Sequence, residues 1–141
     1  MLLFTCAQLI LIAIIGVNFG LNTIYFFLIS ATIGALLLET VNYIEHYGMV
    51  RKKIDGRYEK VTHLHSWNAS HMVSNFLLFQ LQRHSDHHAF AHKRYQVLNH
   101  YDQSPQLPQG YSAMIILALF PPLWFKVMDR RLEDWKEKVG V

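Results

Sequence analysis

Residues 1–38 read MLLFTCAQLILIAIIGVNFGLNTIYFFLISATIGALLL, and no Asp, Glu, Lys or Arg interrupts them. Residues 1–17 and 21–38 are two mostly apolar runs of about 17 and about 18 residues, close to the roughly 20 that cross a hydrocarbon core as helix. A secretory leader would show a basic start and a small-residue cleavage site; here Met1 is followed directly by apolar side chains, which favours a membrane span. Between the runs, Asn18, Gly20 and Asn22 form a turn signal, so the two runs are expected to pair as a transmembrane helical hairpin. Arg51, Lys52, Lys53, Arg57 and Lys60 follow closely, which by the positive-inside rule places everything after Glu39 on the cytoplasmic side.

The rest of the chain is a different material. Apolar residues make up 52% of the 141, yet every formally charged side chain lies at or beyond Glu39. The net charge of +3 and pI near 9.1 invite a nucleic-acid reading. A basic stretch beside a membrane segment is explained more simply by topology and anionic headgroups, so no nucleic-acid partner is expected. Cys6 has no partner in the chain. An internal disulfide, a four-cysteine iron site and a zinc ribbon are thereby excluded, and Cys6 reads as a small apolar filler.

Further along, KKIDGRYEKV (52–61) carries the hairpin signal Asp55-Gly56. Residues 62–95 contain neither Gly nor Pro, and this stretch predicts one long helix, capped by Asn68 or Ser70 and running through its histidine-rich end. Residues 99–110, with Pro105, Pro108 and Gly110, read as a loop. The apolar run 112–124 is too short to span and carries Pro121-Pro122, predicting an interfacial or buried helix broken by the prolines. Residues 126–141 read as a charged surface helix. The architecture expected is an all-α membrane protein, a partial helical bundle: a transmembrane hairpin over 1–38, a cytoplasmic histidine-rich helical portion over 39–129 and a charged tail over 130–141.

Nine histidines fall in this chain, none within the first 45 residues. Imidazole binds iron, zinc and copper well, and polar clusters near membrane depth are functional by default. In Arg83-His84-Ser85-Asp86-His87-His88, His84 meets His87 at i+3 and His88 at i+4, spacings that stack side chains on one helix face about 5 to 6 Å apart. Adjacent His87 and His88 diverge by about 100°. The HxxHH pattern therefore suits two metal ions better than one. A solitary surface histidine would be read as solvated or as a helix-end cap; three at these spacings favour ligation. The segment ETVNYIEHYG (39–48) adds Asn42, Glu45 and His46 at the end of the second span, where a bare carboxylate is costly and Glu39 and Glu45 call for partners. The spacings of His63, His65, His71, His92 and His100 select no site and suit supporting or interfacial roles. Gln82 and Asp86 stand where they could orient imidazoles, although a solvated Asp86 reads equally well. No catalytic acid or base is singled out.

LQRHSDHHA (81–89) resembles the last histidine box of the membrane-bound alkane monooxygenases, relatives of the membrane fatty-acid desaturases and hydroxylases. NYIEHYG (42–48) is similar to that family's additional histidine motif, and HSWN (65–68), NHYDQSPQLPQGY (99–111) and PPLWFKVMD (121–129) match in order and spacing. The likeness covers at least residues 39–129. It implies a helical bundle in the cell inner membrane, multi-pass with a cytoplasmic C-terminus. It also implies two non-haem iron ions held in part by His46, His84, His87 and His88. Electrons would come from a rubredoxin, and O2 would supply the oxygen placed on the terminal carbon of an alkane.

One departure bears on this. The family's two earlier boxes, of the H-E-x-x-H and E-H-x-x-G-H-H kind, are absent, and the chain contains no His-Glu dipeptide. Four histidines do not saturate two irons, so the chain is expected to be the C-terminal part of a longer enzyme and inactive alone. Two alternatives stand beside this: a desaturase or aryl-methyl monooxygenase of the same superfamily, or a non-catalytic membrane fragment that binds zinc or nothing.

Overall fold

A computed structural model of the chain describes residues 1–139; Gly140 and Val141 of the expected tail lie outside them. Two units separate in it, Met1–Glu39 and Thr40–Val141. The first unit is helical. α1 (Leu2–Phe19) and most of α2 (Leu21–His46) meet at Gly20, whose φ of +83° is available to glycine without strain. The junction is thus a single residue, tighter than the sequence suggests, and Ile24 lies against Gly16 across it. Both helices are apolar and long enough to cross a membrane, and none of α1 is buried. Their polar side chains turn inward on their own backbones: Asn18 donates to the Ile14 carbonyl, Thr23 to Phe19 and Thr32 to Leu28, each four residues back. A helix in hydrocarbon needs this, because no water is there to take the unpaired groups.

The second unit packs around Ile44, Trp67, Ala69, Leu107, Tyr111, Met114, Trp124 and Met128. The last turns of α2 enter it, and Gly48 beyond them has φ +69°. That φ suits glycine, and a Cβ there would also press on the Leu132 side chain. The Asp55-Gly56 signal forms the expected hairpin, β1 (Lys53–Ile54) paired antiparallel with β2 (Arg57–Tyr58). The extended strip 66–69 then crosses the unit. Trp67 N–H donates to the Glu45 carbonyl at 2.8 Å and its indole N–H to the Tyr47 carbonyl at 2.7 Å, so this strip occupies the orphan carbonyls at the end of α2.

The single long helix expected from Asn68 or Ser70 through the histidine-rich end does not form. α3 (Met72–Leu77) stops, Phe79 and Gln80 adopt φ +51° and +60°, and α4 (His84–Ala89) starts anew. Long-range hydrogen bonds outcompete local helix here. Ala69 N–H donates to the Gln82 carbonyl, and Asn68 grips Ser85 from both sides of its amide. Asn68 is therefore not the cap of its own helix. Its Oδ1 takes the Ser85 N–H at 2.9 Å, near the start of α4, while its backbone bonds Pro105 and Leu107. The loop 99–110 is thereby tied to α4, with Ser85 Oγ 3.1 Å from Ser104 Oγ.

α5 (Tyr111–Ala118) and α6 (Pro121–Val139) complete the unit. The two prolines do not merely break a helix; they occupy the first two positions of α6, where a missing N–H costs nothing.

Candidate metal centre

His46 closes α2, and His84 and His88 stand one turn apart on α4. Because residues 66–69 clamp the end of α2 on one side and the start of α4 on the other, the three imidazoles meet. Their ligand atoms all lie within 4.8 Å of one another. The His84 and His88 rings are 4.3 Å apart and the His46 and His88 rings 4.9 Å apart, both edge to face. His46 Nε2 and His84 Nε2 face each other at 3.3 Å. His87 lies outside this trio, its ring 6.2 Å from His84 and 6.0 Å from His88. The divergence expected of adjacent residues on a helix is present.

The electrostatics favour ligation over charge. Burial, reinforced by His88, His46 and His87, pushes the His84 pKa down to about 3, so the ring is neutral at physiological pH. Its Nε2 also lies 3.2 Å from Glu45 Oε2, a contact that is a hydrogen bond rather than an ion pair while the imidazole is neutral. Glu45, buried in the last turn of α2, accepts a second bond at Oε1 from the Tyr111 hydroxyl at 2.6 Å. Burial and the Glu45 charge raise the Tyr111 pKa, so the phenol keeps its proton and donates it to the bond. The partner that the sequence demands for Glu45 is thus a histidine on one side and a tyrosine on the other.

Asp86 sits between the ligand-bearing positions but touches no imidazole. Fully buried, its carboxylate receives Lys93 Nζ at 2.9 and 3.0 Å, Asn99 N–H at 2.8 Å and the Tyr101 hydroxyl at 3.0 Å. These donors hold its pKa below the usual carboxylate range despite the burial. Neither a solvated Asp86 nor one that orients an imidazole survives this geometry. Its role is to strap residues 93–101 across α4. Gln82 likewise serves backbone and hydroxyl, accepting from Ser74 Oγ and Tyr111 N–H.

The remaining histidines are engaged elsewhere. His65 Nδ1 faces Thr62 and its Nε2 lies 3.2 Å from Glu59; His63 stacks on Tyr101; His100 bonds Ser70 and Asp102; His71 precedes α3; His92 meets the edge of Phe90. Sequence reasoning missed Tyr111 and took Asn68 only for a helix cap, since neither carries a spacing signal for the site. A cavity of about 450 Å³ lined by Trp67, Ser104, Gln106, Arg131 and Trp135 contains none of the histidines, and so is not assigned as a channel to the cluster.

Two membrane-length apolar helices followed by a three-histidine cluster whose central member, His84, is buried define a helical membrane protein of the histidine-box class. The chain belongs to the fatty acid desaturase family, whose model matches residues 1–118. It is 56% identical over 126 residues to alkane 1-monooxygenase 2 of Alcanivorax borkumensis, covering 89% of this chain and 33% of that protein. Over 118 residues it is 58% identical to alkane 1-monooxygenase 2 of Pseudomonas aeruginosa, 83% of this chain and 31% of the relative. The xylene/toluene monooxygenase hydroxylase component XylM of Pseudomonas putida is 31% identical over 124 residues, 87% of this chain and 31% of its own length. The chain thus spans about a third of the length of the curated relatives it matches.

Proposed function

We propose that this chain is part of a membrane-bound non-haem di-iron alkane hydroxylase, one that places an oxygen atom from O2 on the terminal carbon of an alkane with electrons from rubredoxin. The observation that carries the reading is the convergence of His46, His84 and His88, set in a chain whose relatives are named alkane 1-monooxygenases. The residues fit a metal. Two nitrogens that each sit about 2.0 to 2.1 Å from a common ion lie about 2.9 to 3.4 Å apart at cis or tetrahedral angles, and His46 Nε2 and His84 Nε2 are 3.3 Å apart. In this reading His46, His84 and His88 hold one ion, and His87 turns toward a second whose remaining ligands lie outside this chain.

Reductive activation of O2 for attack on a C–H bond is the chemistry that iron supplies in such a ligand set. The chain's own residues do the rest. Burial keeps His84 neutral and its lone pair available. Glu45, held by the Tyr111 hydroxyl, keeps its Oε2 3.2 Å from His84 Nε2, beside the nitrogen that would face the ion. Asn68, through Ser85, and Asp86 both fix the first turn of α4, which limits the spread of ligand geometries. The spans over 1–38 line a dry path for an apolar chain, residues 39–129 form the catalytic portion and 130–141 a charged tail.

The 31%-identical XylM relative favours an aryl-methyl substrate as the second reading. Purified chain in lipid with ferrous iron, rubredoxin, its reductase and NADH is expected not to convert octane to 1-octanol, because four histidines leave both irons short of ligands. The full-length protein is expected to do so, and octane inertness of that protein alongside xylene turnover would select the second reading. Sustained turnover by the chain alone would show that its own ligands suffice.

The chain is also placed in the cell inner membrane with its C-terminus cytoplasmic, on the strength of the five basic residues between Arg51 and Lys60. Reporter fusions at Asn18 and at the C-terminus are expected on opposite sides; both on one side would rule this topology out.

A further inference from the structure

The corner between α5 and α6 carries an apolar surface that neither the core nor the metal centre uses. No charged residue occurs from Gln103 to Phe125, and Lys126 ends the run. Both helices already bury one side, Tyr111 and Met114 from α5, Trp124 and Met128 from α6. Their other side is apolar as well. Ile116, Leu119, Phe120, Leu123 and Phe125 are 61, 66, 59, 50 and 46% exposed, and Pro121 and Pro122 at the corner are exposed with them. Helix that is apolar all round needs cover on both sides.

The backbone of this corner shows what covers it. A helix start ordinarily presents four N–H groups without intrahelical partners, and water satisfies them. Here the first two positions are Pro121 and Pro122, which have no N–H, and the third, Leu123, donates to the Phe120 carbonyl at 3.0 Å beside the ordinary helical bond of Trp124 to the same carbonyl at 2.9 Å. Leu119 and Phe120 donate to Ile116 and Leu117 at 3.2 and 3.0 Å. Every backbone donor from Leu119 to Trp124 is therefore absent or paired within the corner. A water-facing turn does not require this, whereas a turn in hydrocarbon does, since each unpaired donor there is costly. A docking site for protein would in addition place polar side chains among the apolar ones, and residues 115–125 contain none apart from the indole of buried Trp124.

We infer that the α5–α6 corner inserts into the headgroup–acyl boundary of the bilayer, with Leu119, Phe120 and Leu123 in the acyl layer and Lys126 and Arg130 among anionic headgroups. The dimensions agree with shallow insertion. Lys126 lies five residues into α6, about 7 Å along the axis at about 1.5 Å per residue, and interfacial helices enter by about 5 to 10 Å. Both cations are exposed, and from Lys126 onward α6 alternates charged and apolar faces as a helix leaving the interface should. This inference does not rest on the metal or substrate assignment, only on the presence of a bilayer.

The test uses the whole chain in vesicles of phosphatidylcholine with phosphatidylglycerol, carrying one environment-sensitive fluorophore. On a Cys6→Ser background, Phe120→Cys, Leu119→Cys and Leu123→Cys provide three independent labels, so that poor folding of one leaves two. Native Cys6, within α1, gives the acyl reference, and Glu133→Cys the aqueous one. Labels at the corner are expected to emit blue-shifted from the Glu133→Cys label and to be quenched by shallow nitroxide lipids at least about twofold more than by aqueous iodide. Removing phosphatidylglycerol, or making Lys126→Gln with Arg130→Gln, is expected to weaken that lipid quenching. Iodide access equal to that of the Glu133→Cys label would overturn the inference. Shielding from both quenchers would overturn it equally, by showing that protein covers the corner.

Discussion

Replacing His84 by alanine is expected to weaken cobalt(II) binding by the detergent-solubilised chain more than about 100-fold, since removing even a supporting partner of a ligand costs about 10- to 100-fold. His84 is the buried member of the trio, its ring 5.2 Å from that of His46 and 4.3 Å from that of His88. His46→Ala and His88→Ala are expected to follow it. His87→Ala is expected to leave the chain's affinity near the starting value while lowering the iron content of the full-length protein, because its ring stands outside the trio. Optical titration with cobalt measures the first pair of effects and metal analysis the second. Equal losses for His84→Ala and His92→Ala would defeat the assignment, since His92 contacts only Phe90 among the rings.

Asp86→Ala is expected to destabilise the second unit by about 3 kcal/mol, toward the lower end of what breaking a buried ion pair costs because Lys93 keeps some access to water. The substitution strands Lys93, the Asn99 N–H and the Tyr101 hydroxyl together. Lys93→Met is expected to cost less, as two donors to Asp86 remain. Denaturant midpoints of the solubilised chain, read by near-ultraviolet dichroism, rank the two; a smaller loss for Asp86→Ala than for Lys93→Met would contradict this account. The same clasp sets an acid limit. The folded-state pKa of Asp86 is depressed below its ordinary 3.8, so its contribution is complete above that value and is lost as pH falls through the lower folded value. The Asp86→Ala chain is thus expected to lose less stability than the native one between neutral pH and pH near 3.

The parts of this protein that depend on a residue's near neighbours are legible in the amino-acid order. A charge-free apolar run is one-dimensional information, and residues 2–19 and 21–38 lie in helices of membrane length because nothing within those runs requires water. The i,i+4 spacing places His84 and His88 on one face because helix period alone does so, and Asp55-Gly56 turns where its own φ angles allow. Pro121 and Pro122 mark a boundary for the same local reason, though the sequence left open that they begin a helix rather than spoil one.

What depends on partners far along the chain was decided only by tertiary structure. His46 comes to His84 across 38 positions because the strip 66–69 holds both helix ends, and no spacing rule reaches that far. The unbroken, glycine-free and proline-free pattern over 62–95 satisfies helix propensity, yet Asn68, Gln82 and Ser85 gain more from buried hydrogen bonds to distant loops than from continuing the helix. Asp86 passes for a solvated or imidazole-orienting carboxylate until Lys93, Asn99 and Tyr101 are folded onto it. Propensity and period are sums over neighbours a few residues apart, whereas the metal centre is made of contacts whose free energy exists only once the chain has closed its loops.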